Sequence, residues 1–115
     1  MKQIIILLSL MLCFGKASAV TTSEFISAFE GEAEQKKVAD VFIAGVGLGI
    51  RAVNAHSLRA NGMSFFCVPP TLALNNTNYY DVIKKEYDKY PNLHKDLGVE
   101  TTLLYGMMST FPCKK

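Results

Sequence analysis

Two cysteines, Cys67 and Cys113, constrain the fold of this chain more than any other feature of its sequence. They lie 46 positions apart, so a bond between them would hold the ends of a long segment together. Whether they pair depends on the compartment, because thiols stay reduced in the cytosol and are oxidised outside it. The beginning of the chain indicates which compartment applies.

The N-terminal segment has the pattern of a secretory signal peptide. Lys2 precedes an apolar run at residues 4–14, and Ala17-Ser18-Ala19 offers a small-x-small cleavage site. The run is shorter than the roughly 20 residues that a membrane anchor needs. Cys13 lies within it and follows the large Leu12, which disfavours a lipoprotein signal. We predict a signal peptide over residues 1–19, a periplasmic location and no membrane contact after cleavage.

The remaining residues, 20–115, suffice for a single domain. Outside the cytosol we expect Cys67 and Cys113 to form a disulfide. Lys2 and Lys16 belong to the leader, so ten basic and ten acidic residues remain. A chain without net positive charge is a poor candidate for binding the phosphate backbone of nucleic acids.

Helical spacing dominates the first half of this domain. Thr21 and Glu24 form a capping-box pattern before an apolar face of Phe25, Ile26 and Phe29. A long helix is predicted from about Glu32 to the Asn61-Gly62 stop signal. We expect its buried stripe to consist of Val38, Phe42, Gly45, Val46, Gly49 and Val53.

The second half predicts two more helices after the Pro69-Pro70 break. Asn78 is the expected N-cap of the first, which ends at Pro91. Its predicted apolar face consists of Tyr80, Ile83, Tyr87 and Tyr90, and that of the last helix of Leu97, Leu104, Met108 and Phe111. No stretch alternates with period two over a strand's length. The sequence therefore predicts an all-α fold, a small bundle of four or five helices with one disulfide.

The sequence gives little support for a catalytic, metal-binding or nucleotide-binding site. A Cys67–His94 nucleophile pair requires a free thiol, which a disulfide removes. No spacing prearranges metal ligands on one turn, and the glycines around Gly47 lie within a helical period instead of following a strand. We predict no catalytic residues, no metal and no cofactor.

Gly45 and Gly49 lie four positions apart, on one face of the long helix. Each costs about 1 kcal/mol relative to alanine in a helix. We therefore predict that they let another helix pack closely, either within the chain or in a second copy. Tyr79 lies off the predicted apolar face and next to an uncharged loop, so we predict that it contacts a partner.

Four segments, taken in order, resemble the periplasmic amidase-immunity proteins of type VI secretion systems. They are Phe42 to Val46 (Phe-Ile-Ala-Gly-Val), Phe66 to Pro70 (Phe-Cys-x-Pro-Pro), Tyr90-Pro91, and Phe111 to Cys113 (Phe-Pro-Cys). The resemblance extends from about Val38 to Cys113. It implies a small helical protein, often dimeric, that binds a cognate peptidoglycan-cleaving amidase and blocks its Cys-His site sterically.

The resemblance does not carry over the contact loop, so we select it from position and composition. We favour residues 90–96, which join the last two helices, with the loop around residues 75–79 as second choice. The candidate contact residues are Tyr90, Asn92, His94, Lys95, Asp96, Asn76 and Tyr79. The alternative function is an acid-stress chaperone of the HdeA kind, which also carries one disulfide, and a small hydrolase is the least favoured.

Overall fold

A computed structural model describes residues 19–115 of the chain as five helices. They are α1 (Thr22–Phe29), α2 (Ala33–Asn61), α3 (Asn76–Lys89), α4 (Pro91–His94) and α5 (Val99–Thr110). Over this range the β-pairing is confined to one isolated bridge between Thr21 and Gly98. The predicted all-α class is confirmed. The predicted signal peptide lies outside the described residues except for Ala19.

Capping residues close to each end in the sequence determine where most of the helices begin or end. Thr21 caps α1, and the Glu24 carboxylate accepts a hydrogen bond from the Thr21 backbone N–H, which lowers the pKa of Glu24. Gly62 ends α2 in the left-handed conformation, with φ of 70°, which glycine adopts without strain. The predicted cap of α3 is wrong: Asn75 is the N-cap, and Asn78 completes the capping box from inside the helix.

The core lies between α1, α2, α3 and α5, and the most extensive packing is between α3 and α5. Its fully buried apolar side chains include Phe25, Ile43, Ile83, Leu103 and Met107. Gly106 brings the two helices close, because a Cβ at this position would meet the Val82 side chain. Burial of these side chains is the main source of stability for so small a domain.

An aromatic contact joins α1 to α3. The rings of Phe29 and Tyr80 stack with centroids 4.2 Å apart, and the Tyr80 hydroxyl donates a hydrogen bond to the Glu30 carboxylate. Burial of the ring, followed by this hydrogen bond, raises the pKa of Tyr80. The phenol therefore stays protonated and keeps donating throughout the physiological pH range.

The predicted apolar faces are correct in part, and the centre of each buried face lies about one position from the predicted one. The predicted members that are buried or half-buried against the core are Phe42, Val46, Tyr80, Ile83, Tyr87, Leu104 and Phe111. In α2 the buried residues are Ala39, Ile43 and Gly47, whereas Val38 and Val53 are exposed. In α3 and α5 the displacement is toward the N-terminus instead. Besides Ile83, which was predicted, the buried residues are Tyr79, Val82, Glu86, Val99, Thr102, Leu103, Gly106 and Met107. Apolar residues occur nearly all around α2 and α5, so periodicity alone does not define the inner side of these two helices.

Gly47, not Gly45 or Gly49, provides the close approach within the chain. A Cβ at Gly47 would lie 2.5 Å from Cζ of Tyr79, whereas no described atom lies within 4 Å of a Cβ built at Gly45 or Gly49. The predicted packing role of Gly45 and Gly49 is therefore wrong for helices of the same chain. The absent side chain at Gly47 is what lets the Tyr79 ring lie flat against α2.

Alanine substitutions should distinguish Gly47 from Gly45 and Gly49 by their effects on stability. We expect Gly47→Ala to lower the free energy of unfolding by about 1–3 kcal/mol, because the methyl group would overlap a buried ring. Gly45→Ala and Gly49→Ala should each raise it by about 0.5–1 kcal/mol through helix propensity. Urea unfolding in dilute solution measures all three, and a Gly47→Ala variant as stable as the other two would contradict the assignment.

The disulfide between Cys67 and Cys113 is present, as predicted, and ties the loop at residues 62–75 to the C-terminal segment. A backbone hydrogen bond from Cys67 N–H to the Phe111 carbonyl runs beside it, at 2.8 Å. The Asn54 side chain binds the backbone of Phe65 and Phe66 at the start of the same loop. These contacts hold a segment without regular secondary structure against α2.

Helix α2 is long and apolar enough to cross a membrane by length and composition alone. The relevant 18-residue window has a mean hydropathy of 1.5, and 17% of its residues are buried. Most of one side of α2 is thus both apolar and exposed.

Candidate interaction site

The segment at residues 90–96 projects from the domain at the turn between α3 and α5. Tyr90 is 58% exposed, and Asn92, Lys95 and Asp96 are exposed beside it. Leu93, which the sequence analysis did not select as a contact residue, is 61% exposed. Four of the five predicted contact residues in this segment are therefore accessible, and so is one apolar side chain among them.

Proline chemistry produces this turn. Pro91 has no backbone N–H to continue α3, and its restricted φ suits the first position of a new helix. Tyr90 caps the end of α3, and its carbonyl accepts hydrogen bonds from the backbone N–H groups of Leu93 and His94. The result is α4, a single turn that redirects the chain toward α5.

The start of α1 holds the same segment from the side. The backbone N–H of Thr22 donates to the Leu97 carbonyl at 2.8 Å, and the Ser23 hydroxyl donates to the Lys95 carbonyl at 2.9 Å. Val99 N–H donates in turn to the Val20 carbonyl. Backbone groups that a free loop would expose to water are therefore satisfied by the first residues of the domain.

His94 is the anchor beneath the segment and is 2% exposed. Its Nδ1 lies 3.2 Å from the Thr102 hydroxyl, which is itself 2.7 Å from the Thr22 hydroxyl. Its Nε2 lies 3.6 Å from a carboxylate oxygen of Glu86. One side chain thus connects α4 to α1, α3 and α5.

Glu86 is a buried carboxylate whose charge is balanced locally. Its second oxygen accepts hydrogen bonds from the Lys89 ammonium at 3.2 Å and from the Ser109 hydroxyl at 3.0 Å. Buried charges persist when they are paired in this way. The Tyr105 and Gly106 carbonyl oxygens lie 3.0 and 3.3 Å from the same Ser109 hydroxyl, so they compete with Glu86 for its single proton.

Two predicted contact residues are wrong on grounds of burial. His94 points inward because Glu86 and Thr102 offer it polar partners in the core. Tyr79 is only 5% exposed, since its ring occupies the space left by Gly47. Asn76 is half-buried in the first turn of α3, so the second-choice loop presents less accessible surface than residues 90–96.

Leu93 is an exposed apolar residue of the turn that the sequence analysis did not select as a candidate. The sequence did contain an indication of its exposure. Leu93 is an apolar residue in a polar turn that begins at Pro91, where burial is not expected. The local sequence does not indicate that Glu86 and Thr102 contact His94, because each lies eight positions away from it along the chain. Across residues 19–115, no group of three or more His, Cys, Asp or Glu side chains is arranged to hold a metal ion.

Comparison with family models, curated proteins and solved structures gave no significant match.

Proposed function

We propose that this chain is a periplasmic immunity protein that binds a peptidoglycan-cleaving type VI secretion amidase and blocks its active site. The observation that carries the proposal is an exposed turn, residues 90–96, held from below by buried His94 and from the side by α1. The disulfide and the apolar N-terminal segment are compatible with an exported protein. The four ordered segments that resemble amidase-immunity proteins are the reason for proposing an amidase as the partner.

The anchoring of the turn supports steric inhibition. A loop that is ordered before binding loses little conformational entropy on association, so more of the contact energy appears as affinity. Tyr90 and Leu93 offer apolar area for a groove, and Asn92, Lys95 and Asp96 surround them with polar groups. An apolar centre with a polar rim is the usual composition of a tight protein interface.

The function is tested by mixing the exported protein with the amidase encoded in the neighbouring reading frame. We expect a stoichiometric complex and loss of cross-link cleavage in purified peptidoglycan. Unchanged cleavage together with no complex would end the proposal.

Variants of the turn test the site. We expect Leu93→Asp to weaken inhibition at least tenfold, because a carboxylate would be desolvated at the centre of the contact. Leu72→Asp is the matched control, since Leu72 is an exposed leucine in a different loop. Inhibition constants and thermal unfolding are measured together. Equal inhibition by both folded variants would assign binding to another surface.

Exposed apolar side chains along α2 support a second candidate, an acid-stress chaperone of the HdeA kind. Such a protein should suppress aggregation of unrelated proteins at low pH and leave the amidase active, which is the reverse of the first result.

A further inference from the structure

Apolar and basic side chains share the surface formed by the second half of α2, the loop at residues 62–75 and the C-terminal segment. The ten acidic residues of the domain all lie within residues 24–40 and 81–100. The other two stretches, residues 41–80 and 101–115, contain four cationic side chains and no carboxylate side chain. These cationic residues are Arg51, Arg59, Lys114 and Lys115.

Two grooves show that the three segments form one continuous surface. The first groove, of about 600 Å³, lies between α2 and the loop and is lined in part by Leu48, Arg51, Leu58 and Val68. The second, of about 520 Å³, lies between the loop and the C-terminal segment and is lined in part by Val68, Pro69, Pro70 and Lys114. Val68 belongs to both. We call the residues that line the two grooves the basic–apolar surface.

The apolar and the cationic groups of this surface are both accessible. Leu48 and Leu58 are 65% and 53% exposed, and Met63 and Phe65 of the adjacent loop are exposed as well. Among residues 19–115, no carboxylate lies within ion-pair distance of the Arg51 guanidinium. Clustered apolar exposure of this kind marks an interaction surface.

An anionic bilayer matches this composition. Apolar side chains enter the boundary between headgroups and acyl chains, and Lys and Arg are attracted to the anionic headgroups. Each such cation strengthens binding by about fivefold. Apolar area and positive charge together give stable attachment where either one alone is marginal.

We infer that the basic–apolar surface docks this protein onto an anionic phospholipid bilayer. Leu48 and Leu58 enter the headgroup–acyl boundary, and Arg51 and Lys114 contact headgroup phosphates. The inference departs from the sequence-based prediction of no membrane contact after cleavage, which rested on the leader. It does not depend on the proposed function, because the turn at residues 90–96 belongs to other elements.

An acidic protein segment is the competing occupant, and the hydrogen-bonding capacity of the surface disfavours it. Protein interfaces carry about one hydrogen bond per 100–200 Å². The three prolines of the second groove have no backbone N–H to donate. In the first groove the Asn54 side chain is already hydrogen-bonded to the backbone of Phe65 and Phe66. Cations and apolar area suffice for a lipid surface.

The proposed contact is peripheral and is confined to the second half of α2. The helix is long and apolar enough to cross a membrane, but one side of it packs against α1, α3 and α5. Lys36 and Lys37 do not extend the basic–apolar surface, because Glu34 and Asp40 lie among them and Asp40 pairs with Lys36 at 2.9 Å.

Sedimentation with vesicles tests the inference. The protein is exported with its leader, recovered from the envelope, and mixed with vesicles of phosphatidylcholine alone or with added phosphatidylglycerol. We expect binding about tenfold tighter or more when phosphatidylglycerol is present, and release at high salt through screening. A wild type that sediments with neither kind of vesicle would overturn the inference.

Variants locate the contact. Leu58→Asp should weaken vesicle binding about tenfold or more, because a carboxylate would replace an inserted apolar side chain. Arg51→Gln should weaken it about fivefold. Leu93→Asp is the matched control, because Leu93 is an exposed leucine on the turn at residues 90–96. Equal weakening by Leu58→Asp and Leu93→Asp, both shown to be folded by thermal unfolding, would overturn the assignment.

Fluorescence tests whether the apolar side chains enter the bilayer. The chain contains no tryptophan, so Leu58→Trp introduces a single reporter on the basic–apolar surface. Its emission should shift to shorter wavelength on vesicles that contain phosphatidylglycerol, whereas the emission of Leu93→Trp should not. Vesicle binding without a shift of the Leu58→Trp emission would overturn the insertion of this side chain.

Two further results would assign the surface to a different occupant and overturn the inference. Binding of the wild type to polyglutamate but not to vesicles would indicate an acidic protein segment. A shift of the Leu58→Trp emission that grows with protein concentration in the absence of vesicles would indicate a second copy of the chain.

Vesicle binding and amidase inhibition can fail separately. Leu58→Asp should still inhibit the amidase, and Leu93→Asp should still bind vesicles. Vesicle binding without inhibition would overturn only the immunity proposal, and inhibition without vesicle binding would overturn only the lipid contact.

Discussion

Replacing Cys67 and Cys113 together by alanine is expected to lower the free energy of unfolding by about 4 kcal/mol. The bond closes a segment of 46 positions, and its loss restores that freedom to the unfolded chain. Cys67 is exposed and Cys113 half-buried, so removal of the sulfur atoms should add little packing loss. For a domain with a total stability of about 5–15 kcal/mol this is a large fraction.

Urea unfolding of the double variant, with and without reductant, measures the effect. The wild type in reductant should approach the variant, and reductant should leave the variant itself unchanged. A change of less than about 1 kcal/mol would contradict this expectation and would mean that residual structure restricts the unfolded chain even without the bond.

Truncating Tyr79 should be nearly as damaging, whereas truncating Tyr90 should not. We expect Tyr79→Ala to lower the free energy of unfolding by about 3–5 kcal/mol, because it removes a buried ring and leaves a cavity beside Gly47. Tyr90 is 58% exposed, so Tyr90→Ala should change stability by only about 0.5 kcal/mol.

The same pair of variants separates folding from binding. Tyr90→Ala should weaken amidase inhibition while leaving the unfolding curve in place. Tyr79→Phe keeps the ring and serves as the control for Tyr79→Ala. Equal loss of stability in Tyr79→Ala and Tyr90→Ala would contradict the different burial of the two rings.

Short-range chemistry explains the parts of the fold that could be predicted from the sequence. Thr21 and Glu24 are three residues apart, and Gly62 follows the last turn of α2, so each signal acts on its own helix end. The cysteine pair was predictable because only two candidates remain after the leader. The turn at residues 90–96 was predictable because Pro91 interrupts any helix.

The candidate site was predictable as a segment but not residue by residue. His94 and Leu93 are neighbours in an exposed turn, yet one is buried and the other is accessible. The difference arises from Glu86 and Thr102, which supply polar partners to His94 from two other helices. A contact between separate helices has no counterpart in local sequence.

By itself, the sequence determined the helical class, most helix ends and the pairing of Cys67 with Cys113. Each depends on interactions between neighbouring residues or on the small number of possible partners. Tertiary structure alone decided which side of each helix is buried, because α2 carries apolar residues around most of its circumference and only packing selects among them. That selection buries Tyr79 against Gly47 and leaves Val38, Val41 and Leu48 of the same helix exposed.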